Sequence, residues 1–348
     1  MGRKFGVQTS LLGLLIGLAC LAILLRQVDL TQSWNALGRL RGPFLLVPLA
    51  VFCVNLPLRA WRWRLIFSTE ARPSFVSCLT VLGIGNMANF LLPGRAGDLA
   101  RCALVGKEGT LAESSRTLAT LAVEKVLDGL ALIGMILFSI WAMHPPVWVL
   151  QLVQIAAVIF GGALCLLIIL RYRAEALVFV ARRMASWLHI SSKDLRLDGL
   201  LTSFVDGLGA VTSANRMVFL LLMTAAIWST EAVLIWGLAK ALGLSVTLKS
   251  AVIASAVLGL GLMIPAAPGG LGTYELFGTE AFKLVGIAAS SALALTVVIH
   301  GWVYIANLAA GTVLLAWKGI SIAQLKNRVN AESALESQSA SPGMRPSA

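Results

Sequence analysis

Long apolar runs constrain this sequence more than any other feature. Stretches of bilayer-spanning length, about 17–25 residues or more, recur at about 9–25, 44–61, 117–143, 148–170, 217–240 and 287–317. A hydrocarbon core gives backbone N–H and C=O groups no water to bond, so runs of this length predict transmembrane helices. Composition agrees. Hydrophobic residues make up 58% of the chain and charged residues 13%, too little charged surface for a soluble enzyme of this size. The excess of 28 Lys+Arg over 16 Asp+Glu, a formal net charge of +12, marks cytoplasmic loops rather than a nucleic-acid partner.

Lys and Arg placement predicts the orientation. Arg3 and Lys4 put the N-terminus in the cytoplasm, ahead of an apolar run that reads as a retained signal anchor. His144-Pro145-Pro146-Val147 carries no Lys or Arg and faces outward. Segment 171–216 is basic and faces inward, with an amphipathic stretch built on Leu177, Val180, Met184, Trp187 and Leu188. Arg59-Ala60-Trp61-Arg62-Trp63-Arg64 reads as an interfacial aromatic belt with snorkelling arginines. Lys318, Lys326 and Arg328 place the C-terminus inside.

These assignments leave two apolar stretches, 75–93 and 250–275, that begin and end on one side. Each is too short for two crossings at 1.5 Å per residue. Both therefore read as re-entrant or broken-helix hairpins, entering from opposite faces. They also resemble each other. Gly83-Ile84-Gly85-Asn86-Met87 precedes Pro93-Gly94-Arg95-Ala96-Gly97-Asp98, and Gly259-Leu260-Gly261-Leu262-Met263 precedes Pro268-Gly269-Gly270-Leu271-Gly272, with Glu275 following. The shared G-x-G-x-M and P-G-x-x-G predict an inverted repeat whose broken helices meet near the midplane and build a substrate site. Pro93 and Pro268 interrupt helices. The following glycines permit positive φ and close approach, and each restarting helix turns free N–H groups toward an anion. The bland alternative is that the glycines only allow close helix packing.

The expected organisation is an anchor helix and outer loop at 1–43, a first repeat at 44–170, a cytoplasmic linker at 171–216, a second repeat at 217–318 and a disordered cytoplasmic tail at 319–348. The fold class is an all-α polytopic membrane protein with about six full spans and the two hairpins.

Ionisable residues inside spans are costly and usually functional. Glu124, Lys125 and Asp128 lie in the third span, Glu231 in the fifth and His300 in the last. Glu124, Asp128, Glu231, His300 and Glu275 are candidates for intramembrane charge or proton coupling, and Lys125 can pair with its neighbours. The acids could equally hold the bundle together by pairing with Arg59, Arg95 or Arg101, and His300 could titrate or make an interhelical hydrogen bond. Arg59, Arg95 and Arg101 flank the first hairpin and suit a phosphorylated headgroup. Asn86, Asn89, Gly94, Gly97, Gly269, Gly270 and Gly272 complete the candidate substrate-binding set. Cys20, Cys53, Cys78, Cys102 and Cys165 are scattered, without metal-ligand or disulfide spacing. The spacing around Gly106-Lys107 fails as a P-loop, and H-E-x-x-H and G-x-S-x-G are absent. No metal, cofactor or catalytic residue is expected.

Several of these segments together resemble the lysylphosphatidylglycerol synthase transmembrane-region family of flippase-like integral membrane proteins. They are Arg59–Trp63, Asn89–Arg101, Val123–Asp128 and, most specific, Pro265-Ala266-Ala267-Pro268-Gly269-Gly270-Leu271-Gly272-Thr273-Tyr274-Glu275. The resemblance covers most of residues 8–318. It implies a stand-alone translocase of an anionic or phosphorylated lipid in the bacterial inner membrane, without the synthetase domain. Its partners would be a membrane phospholipid or other anionic lipid, no nucleic acid, and in a homo-oligomer a second copy. A lipid-modifying enzyme, or an accessory subunit of a cell-envelope or hopanoid lipid synthesis system, is the alternative. Two departures stand out: His300 where many members carry Arg, and Lys125 where Arg is usual after the Glu.

Overall fold

The computed structural model describes residues 42–92, 96–105, 110–140, 146–173, 197–263 and 267–319, with isolated positions between 15 and 38. Every regular element among the described residues is helical. The order is α1 (Leu46–Ile66), α2 (Phe75–Leu91), α3 (Ala96–Val105), α4 (Leu111–Ile140), α5 (Val147–Tyr172), α6 (Leu197–Gly207), α7 (Ala214–Ala241), α8 (Leu248–Gly261), α9 (Thr273–Leu284) and α10 (Ala289–Trp317). Short 3-10 turns cover Gly42–Leu45, Leu208–Thr212 and Pro268–Gly270.

Among the described residues, three helices, α5, α7 and α10, are long and apolar enough to cross a membrane. They match the expected fourth, fifth and last spans. The second and third expected spans also form helices, α1 and α4, whose polar and charged residues together keep them out of that set. Helix α4 has 30 residues, about 45 Å at the standard rise. The expected first span lies mostly outside the described residues, as do the amphipathic stretch around Leu177–Leu188 and residues 320–348.

Each of the two Gly/Pro stretches is a pair of short helices, longer than its apolar part: α2 with α3, and α8 with α9. Helices α2, α7 and α8 start at Ser74, Ser213 and Thr247, whose side-chain oxygens accept a backbone N–H three residues on, supplying one of the partners a helix start lacks. The same sequence of elements then appears twice. A long helix, a short pair and a second long helix run through α1–α4 and again through α7–α10.

The packing between these sets is reciprocal. The leading helices α1 and α7 lie together, α2 packs on α10, and α8 packs on α4. Apolar side chains gain little from burial against each other in lipid, so close backbone approach carries much of this packing. A Cβ on Gly311 of α10 would collide with Met87 and the Gly83 carbonyl of α2, and a Cβ on Gly259 of α8 would meet Trp228 and Leu132. Arg216, in the first turn of α7, donates to the Leu65 and Phe67 carbonyls and so caps the end of α1. Within the expected linker, α6 packs along α4, and Leu208, Ala210 and Val211 are buried.

Candidate functional site

Two adjoining cavities lie where the two sets of helices meet. The larger, about 300 Å³, is bounded by α1, α2, α4, α7, α8, α9, α10 and the Pro268–Gly270 turn. The smaller, about 200 Å³, lies between α1, α2, α7 and α10. Arg59, Asn89, Phe90, Glu231 and Val303 line both. Arg59 Nη2 donates to Glu231 Oε1 at 3.0 Å, and both side chains are partly exposed. Asn55 Oδ1 accepts from Arg59 Nε at 2.7 Å, while its amide nitrogen donates to Thr230. The Arg59 guanidinium lies over the Trp228 ring, 5.5 Å from its centroid. Lys125 lines the larger cavity, with its ammonium 3.8 Å from Asp98. Among the described residues the charged lining of the larger cavity is thus two cations and one carboxylate, set among Phe90, Trp228, Ile235, Leu258 and Val303.

A separate charge cluster lies buried beside it. Arg62, fully buried, donates to Asp128 at 2.5 Å and to Thr224 at 3.0 Å, and lies 3.5 Å from Glu124. Arg101 grips Glu124 with both terminal nitrogens, at 2.7 and 3.3 Å, and its guanidinium sits 4.1 Å from the Trp63 ring centroid. Two guanidinium groups meet Glu124 and Asp128, and Arg101 also lies 3.7 Å from Asp98, the carboxylate that faces Lys125. Trp228 connects it to the cavity by donating Nε1–H to Asp128 at 3.2 Å.

The second Pro-Gly motif forms a turn whose Gly269, Gly270 and Gly272 have φ of 66°, 77° and 84°. This is the left-handed region that glycine enters without steric cost. Gly269 and Gly270 line the larger cavity. The N–H of Gly272 is taken by Glu275 Oε2 at 2.7 Å, so α9 carries its own anion at its start. Glu275 Oε1 lies 2.5 Å from His300 Nδ1, and His300 Nε2 lies 2.9 Å from the Gly269 carbonyl.

The sequence-derived candidates therefore separate. Arg59, Asn89, Glu231, Gly269 and Gly270 meet at the larger cavity, and Asn86 lines the smaller. Arg101, Glu124 and Asp128 belong to the buried cluster. Gly272, Glu275 and His300 form the clasp behind the turn. Gly97 is a packing position: a Cβ there would strike the Gly85 carbonyl and Asn89. Pro93, Gly94 and Arg95 lie outside the described residues. Arg62 corrects the interfacial-belt reading of the Trp-Arg run: it is fully buried, as is Trp63, while Trp61 is exposed. The cavity roles of Lys125, Phe90 and Trp228 escaped the sequence. For Trp228 a signal existed, since a tryptophan in mid-span is displaced from the interfacial belt where the residue is enriched.

These features define a helical membrane protein with a charged cavity between two similarly ordered helix sets. The family described as Lysylphosphatidylglycerol synthase TM region matches residues 10–311, and the chain belongs to it. It is also similar to "Glycosyltransferase AglD" of Haloferax volcanii, 27% identical over 323 residues. That match covers 84% of this chain and 51% of the relative, so the chain spans about half the length of the curated protein it matches.

Proposed function

We propose that this protein is a lipid translocase, and that the paired cavities receive the headgroup of an anionic or phosphorylated lipid. The observation that carries the proposal is the amphiphilic lining. Arg59 and Lys125 supply cations, Asn86 and Asn89 supply amides, and Phe90, Trp228 and Leu258 supply an apolar wall. Guanidinium and ammonium groups in a low-dielectric cavity favour phosphate oxygens. Glu231 holds Arg59 in place as a counter-charge until a headgroup replaces it. Arg95, in the P-G-x-x-G motif, is assigned to the same path.

In this reading α1–α4 and α7–α10 are inverted repeats, about six helices span the bacterial inner membrane, and both termini are cytoplasmic. The two short-helix pairs are re-entrant hairpins from opposite faces, an arrangement that places a site near the midplane. Reciprocal packing of α2 on α10 and α8 on α4 supports it, because a two-fold relation between the halves requires that exchange.

Proteoliposomes with a fluorescent phosphatidylglycerol in one leaflet provide the test. Wild-type protein is expected to move the label faster than protein-free vesicles. Arg59→Ala and Arg95→Ala are expected to slow it about tenfold, equivalent to one lost charge-assisted bond of ~1.4 kcal/mol, with helix content unchanged. Wild-type rates equal to empty vesicles would end the assignment. A second reading, a membrane-embedded lipid-modifying enzyme or accessory subunit, draws on the glycosyltransferase name of the relative. It predicts a mass change in lipids incubated with the purified protein and activated sugar.

A further inference from the structure

The clasp behind the second Pro-Gly turn has an unusual hydrogen-bond count. Both ring nitrogens of His300 face acceptors. Nδ1 lies 2.5 Å from Glu275 Oε1, and Nε2 lies 2.9 Å from the Gly269 carbonyl oxygen. A neutral imidazole has one N–H, so it can satisfy only one of them. Glu275 meanwhile accepts the Gly272 N–H through Oε2 at 2.7 Å. The Tyr274 ring stacks on His300, with centroids 4.1 Å apart and planes 7° apart, and its π face favours a cation.

We propose that His300 is a proton-binding site, held as an imidazolium by Glu275, and that release of its proton frees the Pro268–Gly270 turn that walls the larger cavity. The step balances simply. One proton leaves Nε2 for water, and Nδ1–H stays with the carboxylate, the stronger acceptor. The bare Nε2 lone pair then faces the Gly269 carbonyl, and that contact opens. Gly269 and Gly270 are cavity wall, so the proton state of His300 sets the shape of the wall.

Among the described residues, the charged and titratable groups around His300 come from several helices. Tyr274 and Glu275 face it from α9, and Tyr304 faces it from its own helix. Helix α7 contributes Glu231, across the cavity and already paired with Arg59 of α1. Lys125 of α4 lines the same cavity. Helix α2, packed along α10, carries no Asp, Glu, Lys, Arg or His.

The first helix set has the equivalent contact, from its second short helix to its closing long helix, as Arg101–Glu124. That guanidinium keeps its charge at every physiological pH. Of two corresponding clasps, one carries a guanidinium and the other an imidazole. Coupling of the proton to lipid movement rests on the translocase reading; the proton site itself does not.

The test uses the full chain in nanodiscs with ¹⁵N-labelled histidine. His144→Gln and His189→Gln leave His300 as the one labelled ring. Between about pH 5 and 10, His300 is expected to carry protons on both nitrogens at the lower end and to lose one in a single step. Hydrogen exchange of the 267–273 amides, corrected for intrinsic rate, is expected to rise roughly tenfold through the same step. In His300→Arg the fixed cation is expected to abolish that rise. A ring that stays neutral throughout, or an unchanged exchange step in His300→Arg, overturns the proposal. Both readouts are independent of lipid movement, so a failed translocation assay would refute the transport reading and leave the proton site standing.

Discussion

Two kinds of charge occupy this membrane protein, and residue-level geometry separates them. Arg62 and Asp128 are buried and paired with each other, whereas Arg59 and Glu231 pair at a cavity surface with part of each side chain exposed. Removing one partner from a buried pair strands the other, at about 3–5 kcal/mol. Asp128→Ala is therefore expected to lower thermal stability in detergent sharply, whereas Glu231→Gln is expected to cost below about 1 kcal/mol, both read from melting curves. If the two variants melt alike, the distinction between scaffold and site charges is wrong. The sequence showed that Glu124, Asp128, Glu231 and His300 stand inside helices, because intramembrane charge is visible by inspection. It did not show their partners. Arg62 sits among alternating Arg and Trp residues, and only the rotation of α1 decides which of them turn inward.

At the scale of elements, the Pro-Gly motifs were legible because their φ requirement leaves few residue choices. Gly269 has φ 66°, and a Cβ there would approach Tyr304 and Phe90 to 3.2 and 3.3 Å. Gly269→Ala is expected to cost about 1–2 kcal/mol of backbone strain and to deform the cavity wall, reducing lipid movement. Gly243 is the matched control. Its φ is 72°, it ends α7, and its Cβ would meet open space. Gly243→Ala is expected to cost about 1 kcal/mol in melting experiments with lipid movement retained. Gly97→Val probes the other use of glycine, since it forces α2 and α3 apart at Gly85. A loss of about 1–3 kcal/mol is expected. The length of the short pairs was less legible: α3 and α9 carry polar residues past the apolar stretches, so hydropathy alone ended them early.

The whole molecule is organised by the exchange of partners between α1–α4 and α7–α10. Each half lays its first short helix, α2 or α8, against the closing helix of the other, while α3 and α9 pack on the closing helix of their own half, so the two halves share their packing. Fragments divided between residues 174 and 196 are accordingly expected to co-purify when expressed together, and each to be degraded or aggregated alone. An element order repeated at an offset of 175–176 residues was readable from the two motifs. The cavity was not, since its lining comes from seven helices and is fixed only by how they cross. A lipid headgroup is proposed to occupy this cavity. The most direct measurement is photo-crosslinking of the protein in nanodiscs with an anionic lipid bearing a photoreactive headgroup, followed by peptide mapping. Label is expected on α2 near Asn89, α7 near Trp228 and Glu231, and α8 near Leu258, and is expected to be lost in Arg59→Ala. Label confined to the exposed apolar faces of α5, and unchanged in Arg59→Ala, would contradict that occupancy.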